Sequence, residues 1–250
     1  MSRSPAPRYA QPATAVGRGR QTRVPGRTWT PRHGLARLLA GVALSILVLL
    51  VGVLAKTGPV SSLGLRVDRH IAMHDRTSTL TTLARAVSTI ATPEIVGAGL
   101  MIVMPLVLVL ARRRLDALKV FCMFGGALIL AEIGKKLINE HRPPTSLWAM
   151  TADSGSSYPS GHTTTAAVFA VALIVIATTL AGRSAALVLG GMYVIAVAVS
   201  RVYLADHYPL DVIGGMLCAL AAAFIVTGLA ALPALQPYLQ RLGTRSGRHR

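Results

Sequence analysis

Six stretches of this chain are apolar on every helical face, and that pattern restricts its fold more than any other feature. They run from Leu38 to Ala55 and then at about Ile95 to Ala111, Leu118 to Gly134, Thr163 to Ala181, Ala185 to Val199 and Val212 to Leu232. A helix rises ~1.5 Å per residue, so the first run reaches ~27 Å, close to the hydrocarbon thickness of a bilayer. A helix with no polar face cannot lie against water and belongs in lipid or in a large core. Hydrophobic residues make up 52% of the 250 and charged ones only 14%, and the mean hydropathy is +0.55. That balance excludes an ordinary soluble domain. The expectation is an all-α, polytopic membrane protein with six transmembrane helices.

The remaining segments divide the chain into a basic N-terminal tail (1–33), a membrane domain (34–235) and a basic C-terminal tail (236–250). The first tail is rich in Arg, Pro, Ser, Thr and Gly without apolar periodicity, so it is expected to be disordered. Val67 to Thr92 is semi-polar and reads as an interfacial helix lying on the membrane rather than a span. Val53-Leu54-Ala55 resembles a signal-peptide cleavage site, but the length of the apolar run and of its leader favours a retained anchor. Cys122 and Cys218 both sit in apolar runs and behave as small hydrophobes.

The formal net charge of +17 raises nucleic acid as a partner, but the distribution of the basic residues answers otherwise. Lys and Arg gather in the two tails, at Arg112, Arg113, Arg114 and Lys119, and at Arg183, without interleaved aromatics. Short cytoplasmic segments carry such an excess, so both termini are expected in the cytoplasm. Three polar clusters then fall outside, each at the end of an apolar run: Lys135 to Pro143, Tyr158 to His162, and Ser200 to Asp211.

Each cluster has its own chemistry. Lys135 and Arg142 are nearly two helical turns apart, so one helix face would present both cations to one anion until Pro143 and Pro144 end it. Ser160 stands where an N-cap is wanted before an apolar helix, leaving the Gly161 and His162 backbone N–H groups for an anion. His207 and Asp211 are at i and i+4, so the carboxylate can accept the Nδ1 proton and present Nε2 outward. That spacing needs a helix starting near Tyr208 with Pro209 in its first turn. Arg201 adds a cation at the same membrane face.

Together, Lys135…Arg142-Pro143, Pro159-Ser160-Gly161-His162 and Ser200-Arg201…His207…Asp211 closely resemble the signature of the type 2 phosphatidic acid phosphatase family, which also includes vanadium haloperoxidases. The resemblance implies that His207 is a nucleophile taking a phosphoryl group and that Asp211 orients it. His162 would protonate the leaving lipid alkoxide and then activate water. Lys135, Arg142, Ser160, Gly161 and Arg201 would bind the phosphate oxygens, with no metal or other cofactor. The implied activity is hydrolysis of a lipid phosphomonoester or diphosphate, such as phosphatidic acid, phosphatidylglycerol phosphate or a polyprenyl diphosphate. Transfer of the phosphoryl group to another acceptor and vanadate-dependent haloperoxidation are the alternatives. Oligomeric state is left open.

Overall fold

The computed structural model describes residues 31–151 and 155–244, and the tail expected to be disordered falls outside them up to residue 30. Among the described residues there are ten α-helices and no strand. In chain order they are α1 (Pro31–Ala55), α2 (Gly58–His70), α3 (Ser78–Ile90), α4 (Pro93–Ala98), α5 (Met104–Leu110), α6 (Arg114–Ile138), α7 (Gly161–Ile176), α8 (Leu180–Tyr203), α9 (Pro209–Leu229) and α10 (Gln236–Thr244). Five runs are long and apolar enough to cross a membrane: Arg32–Ala55, Ser78–Leu110, Arg114–Ile138, Leu180–Tyr203 and Pro209–Leu229. The sixth apolar helix, Gly161–Ile176, is shorter at 16 residues.

The helices alternate in direction. Lys56 Nζ, just past α1, donates to Ile138 O at the end of α6 (2.7 Å). Thr77 N, just before α3, meets the Tyr203 hydroxyl at the end of α8 (3.1 Å). Ser160 N, just before α7, donates to Asp211 O in the first turn of α9 (3.0 Å). One end of the bundle thus collects the last turns of α1, α6 and α8 and the first turns of α3, α7 and α9. At the other end Arg113, which opens α6, donates to Ile176 O at the end of α7, and Gly34 of α1 lies against Ala231 beyond α9.

Small residues let these helices approach. A Cβ at Gly228 of α9 would stand 2.7 Å from Leu38 N of α1, and one at Gly41 of α1 would stand 2.8 Å from Ile225 N of α9. Backbones this close gain dispersion contacts that lipid cannot supply, as at small-residue seams between membrane helices. The outside is the reverse of a soluble surface: Leu39, Leu50, Ile102, Leu187 and Ile195 are each more than half exposed. Exposed apolar area on this scale asks for an apolar solvent.

Three boundaries differ from the sequence expectation. Val67 to Thr92 is not one interfacial helix: it breaks at Arg76–Thr77, and Ser78 onward is the first part of a run of 33 residues ending at Leu110. Some of its polar residues are spent on protein, with Thr82 Oγ1 bonded to Ser78 O (2.9 Å) and Ser88 buried against Arg201. The fourth apolar run divides at Ala177–Thr179, where the Thr179 side chain caps α8 by accepting from Gly182 N. Finally, Pro31, Arg32 and His33 belong to the first turn of α1 rather than to the tail.

Candidate active site

Two helix starts build the centre. Pro209 occupies the first position of α9, where its missing N–H costs nothing, and Asp211 Oδ2 reaches back to accept from Tyr208 N (2.8 Å). That cap fixes the turn carrying His207. Ser160 caps α7, its Oγ accepting from Thr163 N (3.4 Å), so Gly161 and His162 form the first turn as the sequence suggested. The two starts are pressed together, since a Cβ at Gly215 of α9 would lie 2.7 Å from Ser160 O. Glycine there is a requirement of close approach.

His207 is held at both ring nitrogens. Nδ1 lies 3.4 Å from Asp211 Oδ2, and Nε2 lies 3.2 Å from Asp206 Oδ2 and 3.4 Å from Arg142 Nη1. Ser157 Oγ donates to the same Asp211 oxygen and stands 3.4 Å from Nδ1. Asp211 Oδ1 is buried with no hydrogen-bond partner among the described residues. Burial holds the His207 imidazole below its ordinary value. The Asp211 hydrogen bond and the charges of Asp206 and Asp211 oppose that shift, and Arg142 adds to it. The ring is therefore neutral at neutral pH, with a nitrogen lone pair to offer.

Both arginines foreseen from the sequence reach this ring's surroundings. Arg201, fully buried, bonds Ser88 Oγ and Asp206 Oδ2. Arg142 donates through Nη1 to Asp206 O (2.9 Å) and through Nε to Gly155 O (3.2 Å), and also pairs with the Asp206 carboxylate (2.9 Å). His162 is buried in the adjoining turn, 2% exposed.

Lys135 is placed differently. Helix α6 ends at Ile138, where Asn139 turns into the left-handed region (φ 47°), so Lys135 and Arg142 do not share a helix face as expected. The Lys135 ammonium pairs instead with Glu132, one turn earlier (3.0 Å). Arg142 arrives from the loop after α6, and Pro143 and Pro144 are not what ends the helix.

Some members were not foreseen. Asp206 stands immediately before His207 and could have been noticed for that; Ser157 sits one residue before the Tyr158 to His162 cluster. Ser88 comes from the segment read as interfacial and gave no signal. Asp68 on α2 is fully buried, and neither carboxyl oxygen has a hydrogen-bond partner among the described residues. Burial raises it to about 8, the Asp211 charge adds to the rise, and Arg76 opposes it.

Comparison with known proteins follows the same lines. Residues 116–231 match the family model described as the PAP2 superfamily. Phosphatidylglycerophosphatase B of Bacillus subtilis (strain 168) is 31% identical over 122 residues, covering 47% of this chain and 59% of that protein. An undecaprenyl-diphosphatase of Sulfolobus acidocaldarius is 32% identical over 125 residues, covering 48% of this chain and 58% of that protein. The chain thus spans just under three-fifths of the curated relatives it matches. Among solved structures, the transmembrane PAP2-type phosphatidylglycerolphosphate phosphatase from Bacillus subtilis superposes with a TM-score of 0.67 at 24% identity, covering 76% of this chain and 94% of that one. That likeness establishes a shared fold. All three signature clusters, and the buried histidine centre they carry, lie inside residues 116–231, the stretch that matches the PAP2 superfamily model.

Proposed function

We propose that the chain is an integral membrane phosphatase that removes phosphate from a lipid phosphomonoester or diphosphate, with His207 as nucleophile. One observation carries this reading: a buried, neutral imidazole is backed by a carboxylate at Nδ1 and faced at Nε2 by the Arg142 guanidinium, while Arg201 bonds the Asp206 oxygen that lies beside the same nitrogen. Nucleophile, orienting carboxylate and anion-binding cations are the parts a covalent phosphoryl transfer needs. The relatives, named for phosphatidylglycerophosphate and undecaprenyl diphosphate, support a lipid substrate class.

In the first step Nε2 attacks phosphorus and the bond to the lipid oxygen breaks, His162 giving that oxygen its proton. In the second, His162 takes a proton from water as the oxygen attacks the phosphohistidine, which releases phosphate and restores the imidazole. Asp211 holds the ring and supports its charge. Arg142, Arg201, Ser160, the Gly161 N–H and, once it turns from Glu132, Lys135 bind the phosphoryl oxygens. These fixed cations supply the electrostatic stabilisation that metal ions give other phosphoryl transferases, so no metal is required.

The alternation of helix direction supports six crossings, the short α7 included, since α7 starts in the membrane-end cluster that holds the site. With the basic segments at the opposite end, the site faces outside and both termini face the cytoplasm. Phosphate release by the purified protein from phosphatidic acid, phosphatidylglycerol phosphate and a polyprenyl diphosphate, in excess EDTA, is the test. Activity on at least one is expected. No release from any of them overturns the reading, and loss in EDTA restored by Mg²⁺ or Zn²⁺ overturns the metal-free mechanism.

A further inference from the structure

The cations around His207 converge on a single atom of the protein itself. Three nitrogens from three segments surround Asp206 Oδ2: Arg142 Nη1 at 2.9 Å, His207 Nε2 at 3.2 Å and Arg201 Nη2. Asp206, Arg201 and His207 are each at most 1% exposed. The main chain fixes the carboxylate there, because Ala205 turns through the left-handed region (φ 55°) and Asp206 N donates to Arg201 O (3.1 Å). Two guanidinium donors are the partners a phosphoryl oxygen takes, and the imidazole nitrogen beside them is the atom its phosphorus would have to face. While Oδ2 stands 3.2 Å from Nε2, that nitrogen cannot approach a phosphorus atom.

Resting on the phosphatase reading above, we infer that the Asp206 carboxylate is a resident anion occupying the phosphoryl site, which only a more highly charged anion displaces, so that phosphodiesters are kept out. The reason is charge exchange. A phosphodiester headgroup carries one negative charge, as the carboxylate does, so the swap gains no Coulomb energy and still requires moving a buried, well-bonded group. A terminal phosphate carries about −1.5 to −2 at neutral pH, and the swap adds negative charge between two guanidinium groups in a site of low dielectric. Asp206 raises the threshold equally for every anion, and the charge of the anion decides which ones pass it. Ordinary bilayer phospholipids, being phosphodiesters, then do not block the site or enter it.

The alternative role for Asp206 is a structural clamp that neutralises Arg201. The two roles differ in the sign of what its removal does to anion binding. With a soluble aryl phosphate as reporter substrate, methyl phosphate should inhibit the unaltered protein competitively, whereas dimethyl phosphate, a monoanion, should inhibit at least about 30-fold more weakly, as expected where one charge is worth a few kcal/mol in a desolvated site. In Asp206→Asn both inhibition constants should fall about tenfold, bringing dimethyl phosphate into the measurable range. Orthovanadate should also raise the melting temperature of the variant more than that of the unaltered protein.

Weaker binding of both inhibitors to Asp206→Asn, with no gain in vanadate stabilisation, overturns the inference in favour of the clamp. Dimethyl phosphate inhibiting the unaltered protein within about threefold of methyl phosphate overturns it whether or not the variant folds. The failures of the two readings are distinguishable. A protein that vanadate stabilises but that hydrolyses no phosphomonoester sinks the phosphatase reading alone, and the charge preference is then measured by thermal shift with the same two esters.

Discussion

The two ends of the helix bundle both use arginine, in opposite ways. At the site end Arg201 is fully buried, bonded to Ser88 and Asp206, and Arg142 is nearly so. At the far end Arg113 is a third exposed, pairs with Asp116 (2.7 Å) and covers the open carbonyl of Ile176, while Arg183 does the same for Ala177 O (3.2 Å). The far-end residues finish helices and sit where charge meets water, so each ion pair is worth at most about 1 kcal/mol. A buried cation is different: losing its partner costs about 3–5 kcal/mol, and the field it makes is not screened. Burial, not residue type, separates the arginines that finish helices from those that surround the histidine.

The largest way to test that contrast is at the ring the buried arginines surround. His207→Ala should lower phosphate release by roughly 10⁴-fold, and no ³²P-labelled protein should be trapped by rapid quench under alkaline conditions. Label trapped on that variant would place the nucleophile elsewhere. His162→Ala should lose somewhat less and should recover part of its rate on an aryl phosphate, whose leaving group needs no proton. Equal rescue of both histidine variants by the aryl substrate would contradict the division of roles.

Arg201→Lys tests the geometry of the buried cation. Lysine lacks the fork that joins Ser88 to Asp206, so kcat/KM should fall roughly 10²-fold although the charge is kept. A change under about threefold would mean that charge alone matters there.

pH gives a smaller effect with a definite sign. Burial depresses His207, so the ring stays neutral through neutral pH, and the acid limb of kcat/KM for this group should lie below ~6.5, the value of an ordinary histidine. The same depression means the unfolded chain takes up the proton first. Stability from this group is full above ~6.5 and is lost as pH falls from there through the lower folded value. An acid limb above 6.5, read from a pH series on the aryl phosphate, would contradict a neutral resting ring.

The smallest effect is expected at the far end. Arg113→Ala should leave kcat/KM within about twofold and lower the melting temperature by only a few degrees, because what is lost is a partly exposed ion pair and a helix-end contact.

Most of this architecture was legible in the residues, for reasons that also explain what was not. The apolar runs give helices because a bilayer leaves the backbone no other way to satisfy itself. Pro209 and Ser160 announce helix starts by their own stereochemistry, and both starts are where they were expected. The join of Ser78–Ile90 to the following apolar run was hidden because hydropathy cannot tell a polar face turned to water from one turned to another helix. Ser88 looks like a surface serine until Arg201 is found beside it. Lys135 shows the opposite failure: its spacing from Arg142 assumed a helix that Asn139 ends early.

The seam between α1 and α9 has a consequence for how such a chain is made. Helix α1 is the first described run to leave a ribosome and α9 the last of the long apolar ones, yet Gly41 and Gly228 fit each to the other at backbone distance. Tyr158, beside the site, also rests on this pair, its hydroxyl bonded to Val48 O of α1 (2.5 Å) and its ring filling the space over Gly214 of α9. During synthesis α1 must therefore wait in the membrane, its seam covered by lipid or by an insertion factor, until α9 is delivered. The buried histidine cluster is completed by the same event that closes the bundle, so a partly made chain does not yet hold it.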